Sequence, residues 1–190
     1  MEQKDLLDIL IQASKLKITT RHCNTQGERK ESVADHSWRA ALFAMLLDGE
    51  TEFQNADINK VIKMCLIHDL GESFTGDIPT FEKTDDDAKQ ENCLYKGWIN
   101  KFPEPQKSQW TSLVNEMEKQ QSVEAKIYKA IDKLEAVISH NESDISTWLP
   151  LEYNLQFSYG RENVEFSVYF KGLKELIDEW TTEKINKKSG

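Results

Sequence analysis

Between Ile67 and Asp77 the chain reads Ile67-His68-Asp69-Leu70-Gly71-Glu72-Ser73-Phe74-Thr75-Gly76-Asp77, with one imidazole and three carboxylates from His68 onward. On a helix His68 and Asp69 diverge by about 100°, so both can grip one ion placed off that edge. Glu72 follows at i+4 from His68 and i+3 from Asp69. If helical geometry persists through Gly71, it lies on the same face about 5–6 Å away, where it could act on whatever the ion holds. An isolated His-Asp pair is also a common surface pair at a helix end, so this reading depends on further ligands elsewhere.

Two such residues stand on other apolar segments. Ser32-Val33-Ala34-Asp35 has the form of a capping box, and it puts His36 in the first turn of a helix that runs through Trp38, Ala40, Ala41, Phe43, Ala44, Leu46 and Leu47 to Asp48-Gly49. By itself His36 fits equally a core histidine bonded to a backbone group. Asp132 sits among Ala125, Ile127, Tyr128, Ala130, Ile131, Leu134, Val137 and Ile138. An ionised carboxylate there needs a partner, which could be Lys129 at i−3, Lys133, or a metal. Cys65, at i−3 from His68, reads as a core cysteine more readily than as an extra ligand. His140 lies eight residues beyond Asp132, about 12 Å along a helix, and cannot share its ion. Thr84-Asp85-Asp86-Asp87 is a solvated acidic helix start, and no second ligand cluster stands out.

Helical spacing predicts the elements that position these groups. Leu6, Ile9, Leu10, Ala13 and Leu16 mark an amphipathic helix over about 3–17, and residues 21–31 lack periodicity and read as a loop. Helices are expected from near Asp57 to Asp69, from Ala88 to Phe102, from Gln106 to Lys119 and from a cap at Ser122 through Ile138. A last one, about Glu162 to Lys187, should turn Val164, Phe166, Val168, Tyr169, Leu173, Leu176, Ile177 and Trp180 inward. With 38% hydrophobic and 30% charged residues, four Pro and eight Gly in 190 residues, the chain suits one all-α helical bundle spanning residues 1–190.

The net charge of −9, from 24 Lys plus Arg against 33 Asp plus Glu, opposes a nucleic-acid polymer. A small phosphorylated substrate requires local cations. Cys23, Cys65 and Cys93 form an odd set without a C-x-x-C, which suits a reducing compartment. The N-terminus has no secretory pattern and no run is long enough to span a membrane, so a cytoplasmic location is expected.

His36, the His68-Asp69 pair and Asp132 are separated by 68 − 36 = 32 and 132 − 69 = 63 positions. This order resembles that of the HD-domain metal-dependent phosphohydrolases. Glu31-Ser32-Val33-Ala34-Asp35-His36-Ser37-Trp38, His68-Asp69-Leu70-Gly71-Glu72 with Thr75-Gly76-Asp77-Ile78-Pro79, and Ala130-Ile131-Asp132-Lys133-Leu134-Glu135 are similar to the words of the branch containing bacterial 5′-deoxynucleotidases and their eukaryotic relatives. The resemblance implies an all-α bundle that binds one divalent ion through His36, His68, Asp69 and Asp132. It implies that Glu72 and Asp77 assist the chemistry, that Arg21 contacts the substrate phosphate, and that the C-terminal helix could serve a homodimer. Family members with nucleotidase activity tend to follow that arginine with a short segment ending in tryptophan; here His22-Cys23-Asn24 follows.

Two imidazoles and two carboxylates suit Mn, Fe, Co, Ni or Zn better than Ca, with Mg also within the family's range. The implied reaction is release of phosphate from a deoxynucleoside 5′-monophosphate, or a similar small phosphomonoester, by metal-activated water. Triphosphate or phosphodiester hydrolysis on the same site and a non-catalytic regulatory module are the alternatives. A dinuclear oxygenase is disfavoured because residues 70–131 contain no histidine.

Overall fold

A computed structural model describes residues 1–27 and 29–188; Glu28, inside the expected loop, lies outside the described residues, as do Ser189 and Gly190. The helix α1 (Gln3–Ala13) runs into a 3-10 turn, Ser14–Lys17. The expected loop over 21–31 is instead largely an antiparallel hairpin, β1 (Thr20–Asn24) with β2 (Lys30–Ser32), pairing Thr20 with Ser32 and Asn24 with Lys30 around an irregular register. Its inward side chains include Cys23 and Glu31, both buried. A buried carboxylate leaves no period-two apolar pattern, which is why the strand does not stand out in the sequence. The architecture is otherwise helical.

Helix α2 (Val33–Leu46) begins with the expected capping box: Ser32 Oγ accepts from Asp35 N (3.1 Å), and Asp35 Oδ2 accepts from Ser32 N (2.9 Å). It packs chiefly on α3 (Ile58–Ile67), and both lie on α7 (Val123–Glu142). Ala40 and Ala44 are fully buried between them, so small side chains let the axes approach. Val33, Val61, Met64, Cys65, Ile127, Ile131 and Leu134 complete the centre of the core. Each large aliphatic side chain buried there contributes about 1.5–3 kcal/mol. Ser122 and Asp57 cap α7 and α3 through the backbone N–H three residues on.

After α3 the chain keeps right-handed dihedrals through Gly71, but its bonds tighten to the i−3 pattern, as in Glu72 N to Asp69 O (3.0 Å), before α4 (Glu72–Thr75). At Gly71 an added Cβ would lie 2.8 Å from Glu91 Cγ, so any larger residue there must displace the Glu91 side chain of α5 (Asp85–Ile99). Gly76, at φ +83°, ends α4 and turns the chain into Asp77. Tyr95 OH donates to Ile67 O (2.7 Å) and Gln12 Nε2 donates to Ser73 Oγ (2.9 Å), which pins this segment from both sides.

Helix α6 (Gln106–Lys119) follows the expected span. The C-terminal third does not. The chain is already helical in α8 (Glu152–Ser158) and α9 (Arg161–Val164), and the final helix α10 starts at Val168, not Glu162. Its buried line is Phe170, Lys174, Ile177 and Thr181, whereas Val168 and Leu176 are exposed. Polar partners decide this register. Lys174 Nζ donates to Gln156 O (2.9 Å) and to Asp178, and Thr181 bonds Asn141, so a lysine and a threonine are buried where an apolar count favours other positions. The stripe on α1 is likewise mostly outward: Leu6 and Leu10 are exposed, and only Ile9, Ala13 and the following Leu16 pack on the core. Among the described residues no helix is long and apolar enough to cross a membrane.

Candidate metal centre and adjoining cleft

The first turn of α2, the C-terminal end of α3 and the middle of α7 bring His36, His68, Asp69 and Asp132 together. His36 Nε2 and His68 Nε2 are 3.2 Å apart. Asp69 Oδ2 lies 3.0 Å from His68 Nε2 and 3.7 Å from His36 Nε2, and Asp132 Oδ1 lies 3.3 Å and 3.6 Å from Nε2 of His36 and His68. The other ring nitrogens are already committed. His68 Nδ1 is 2.8 Å from Cys65 O and must donate to it, and His36 Nδ1 donates to Glu135 Oε2. These bonds commit Nδ1 at both rings and turn the two Nε2 atoms toward each other and toward two aspartate oxygens, a cluster that a proton or a metal ion must bridge. The donor set of two imidazoles and two carboxylates fits a borderline divalent ion.

The electrostatics agree. Burial disfavours an imidazolium at His68, but Asp69 and Asp132 outweigh burial and push its pKa up to about 10. Burial would raise Asp69 and Asp132; the imidazoles at Asp69, and Lys129 with Lys133 at Asp132, hold both below the usual carboxylate range. Asp132 serves both partners considered for it: Oδ1 faces the histidines, and Oδ2 accepts from Lys129 Nζ (2.9 Å) with Lys133 Nζ at 3.5 Å. Cys65 is a core residue whose carbonyl orients His68.

Glu72 is buried beside the cluster, and its Oε2 has no hydrogen-bond partner. Burial, reinforced by the Asp69, Asp77 and Glu91 carboxylates, raises its pKa to about 10. Asp77, after the Gly76 turn, is raised by burial as well. Arg21 is not a free cation. Its Nη1 donates to Glu31 Oε2 (3.1 Å) and Glu135 Oε2 (3.3 Å), and it also borders the cleft.

That cleft, with an empty volume of about 540 Å³ including its mouth, is lined by Arg21, His22, Asp77, Phe81, His140 and Tyr159 among others. The ring of Phe81 meets His22 edge-on with centroids 5.6 Å apart. An aromatic wall therefore exists although no tryptophan follows Arg21. Sequence reasoning also missed Glu135, which is 1% exposed, bonds His36, and takes Arg39 Nε on its other oxygen (2.6 Å). Its position three residues after Asp132, on the same apolar face, was the available signal. The structure further gathers a second group, His22, His140 and Glu152, where no second cluster was expected.

Residues 13–174 match the HD domain model. The chain belongs to the HD domain family. Within that family it is similar to 5′-deoxynucleotidase HDDC2 of Xenopus laevis, at 31% identity over 115 residues, covering 60% of this chain and 55% of that protein. The Dictyostelium discoideum relative of the same name is 35% identical over 123 residues, covering 60% and 64%. The chain thus spans little more than half the length of the curated relatives it matches. A solved structure from Magnetospirillum magnetotacticum, described as a predicted metal-dependent phosphohydrolase, shares this HD-domain fold with a TM-score of 0.80, at 22% identity and over 95% of this chain and 93% of that one.

Proposed function

We propose that this HD-domain chain is a metal-dependent phosphohydrolase that releases phosphate from a 2′-deoxynucleoside 5′-monophosphate. The observation that carries the reading is the pair of Nε2 atoms 3.2 Å apart, each with Nδ1 already donating, beside two aspartates. His36, His68, Asp69 and Asp132 would hold one divalent ion. When bound, the ion supplies Lewis acidity toward water and a phosphoryl oxygen. The names of the relatives support the substrate class.

The chain's own groups divide the remaining work. Glu72, unpartnered and raised to about 10, holds a proton at neutral pH that it can give to the departing oxygen. Asp77, across the Gly76 turn, orients the ester side of the substrate. Arg21 supplies the positive charge that a −9 protein needs beside a phosphate, and Glu31 and Glu135 hold its guanidinium in place. Phe81 and Tyr159 offer the aromatic surface for a nucleoside. Three free cysteines fit a reducing, cytoplasmic setting for residues 1–190 acting as one domain. Tyr169, Leu176 and Trp180, apolar and outward on α10, support a homodimer through that helix, and sedimentation of the full chain measures it.

The test is inorganic phosphate release by chelator-stripped protein reloaded separately with Mn, Co, Ni, Zn, Fe or Mg, across deoxynucleoside and ribonucleoside monophosphates, triphosphates and a phosphodiester. The expected result is turnover of deoxynucleoside monophosphates only after reloading. Turnover confined to triphosphates or the diester overturns the substrate assignment, and full activity in the stripped protein overturns the metal-dependent reading.

A further inference from the structure

We infer that His22, His140 and Glu152 form a second site for a borderline divalent transition-metal ion, in the cleft that Arg21 and Asp77 also line. Two imidazoles converge on one carboxylate oxygen: Glu152 Oε1 lies 2.9 Å from His140 Nε2 and 3.2 Å from His22 Nε2. Donor atoms about 2.0–2.1 Å from a tetrahedral ion are separated by about 3.3 Å, so these spacings are those of ligands around one centre. The separations within the His36, His68, Asp69 and Asp132 cluster, 3.0 to 3.7 Å, fall in the same range.

The protonation pattern repeats as well. His140 Nδ1 is 3.0 Å from Ala136 O and donates to it, as His68 Nδ1 does to Cys65 O. Nε2 then faces Glu152 Oε1, and the cation that joins them, metal ion or proton, must sit between the two atoms. Glu152, 2% exposed, is ionised. Burial would raise it, but the bonds from His140 and the Leu149 N–H hold it below its usual value. Its Oε2 accepts from Leu149 N (2.6 Å), leaving Oε1 for the histidines. The three ligands come from β1, α7 and α8, and all three line the cleft. A site with three protein ligands and an open position toward a pocket is the arrangement of a zinc site that keeps its fourth position for water or a ligand. His140 stands eight residues beyond Asp132 on α7, about 12 Å along the axis, so the two groups cannot share an ion.

The competing occupant is a proton, which would turn the cluster into an imidazolium–carboxylate bridge. Counting zinc separates the two. The full-length protein is stripped with chelator, loaded with Zn²⁺ at pH 8, desalted and analysed for metal, with circular dichroism on each variant. Wild type should retain two equivalents, and Glu152→Gln and His22→Asn one each. His22 lies on the partly exposed hairpin, so its replacement leaves the core untouched. His68→Ala should also retain one, which adding Glu152→Gln should remove. One equivalent in wild type that His68→Ala abolishes, or two in both Glu152→Gln and His22→Asn, overturns the second site. Failure of the proposed phosphohydrolase centre would look different, as full retention in His68→Ala.

Discussion

His36, His68, Asp69 and Asp132 come from three helices that share one apolar core and form one wall of side chains, whereas the wall of the separate cleft takes Arg21 and His22 from a hairpin, Phe81 from the turn after α4, and Glu152 and Tyr159 from the C-terminal third. His36 is 1% exposed and Asp132 8%, whereas the cleft wall runs from 2% at Glu152 to 37% at Phe81. On the first wall three of the four side chains are fixed twice, by packing and by a bond to the far atom: Cys65 O for His68, Glu135 for His36, Lys129 for Asp132. On the second wall, segments distant in sequence meet through side chains such as Glu152, which holds His140 and His22, and Tyr159, whose OH bonds Thr80 and Lys133. A wall of the first kind suits chemistry that tolerates little displacement; one of the second kind can vary without disturbing it.

Removing a ligand should break the first wall most severely. Asp69→Asn takes away one of the two carboxylates that balance the imidazoles, and phosphate release should fall to the level of chelator-treated wild type. Loss of bound metal, measured by elemental analysis, should accompany it. Retained activity would mean that Asp69 is not part of the centre.

Glu72→Gln keeps the volume and removes the transferable proton. The variant should fold, keep its metal and lose about 10²–10⁴-fold in kcat. Steady-state kinetics with metal analysis checks both halves. Loss of the metal would instead make Glu72 a ligand.

Arg21 joins the two walls, so its replacement sharpens the contrast. Arg21→Ala would strip buried Glu31 of its counter-charge, remove one of the cations around Glu135 and destabilise the fold, which confuses a binding measurement. Arg21→Lys keeps the charge and loses the planar fork. It should raise KM about 5- to 150-fold, the equivalent of about 1–3 kcal/mol, with kcat little changed.

A smaller effect is expected in the stability of the metal-free protein. Glu72 is raised from 4.5 to about 10 when folded, so between those values the folded state binds more protons than the unfolded one. The stability this proton provides is present below about pH 4.5 and is lost as pH rises toward 10. Urea unfolding at pH 5, 7 and 9 should show a decline that is shallower in Glu72→Gln. Parallel declines would remove Glu72 as a source.

How much could be read from the chain follows the same division. His68-Asp69 and His36 sit beside their own helix signals, a capping box at Ser32 and an apolar run ending at Ile67, so local pattern placed them. Asp132 was legible because a carboxylate on a wide apolar face needs a partner. Glu135, on the same face, was passed over, and its bond to His36 spans 99 positions. The hairpin was missed because its buried members include Glu31, and the register of α10 because Lys174 and Thr181 bury through hydrogen bonds rather than apolar area. Glu152 meets His22 and His140 only when the stretch 152–158 folds back as α8. Short-range order thus revealed the wall proposed for chemistry, and long-range polar contacts concealed the wall proposed for selection.

The most direct test of that division is a ratio: kcat/KM for two deoxynucleoside 5′-monophosphates that differ only in the base, measured in metal-loaded wild type, Glu72→Gln and Phe81→Ala. Glu72→Gln should lower both values by the same factor and leave the ratio unchanged, whereas Phe81→Ala should change the ratio, with a loss of about 5-fold or more for the base that stacks better. A ratio that moves in Glu72→Gln and stays constant in Phe81→Ala would contradict the account.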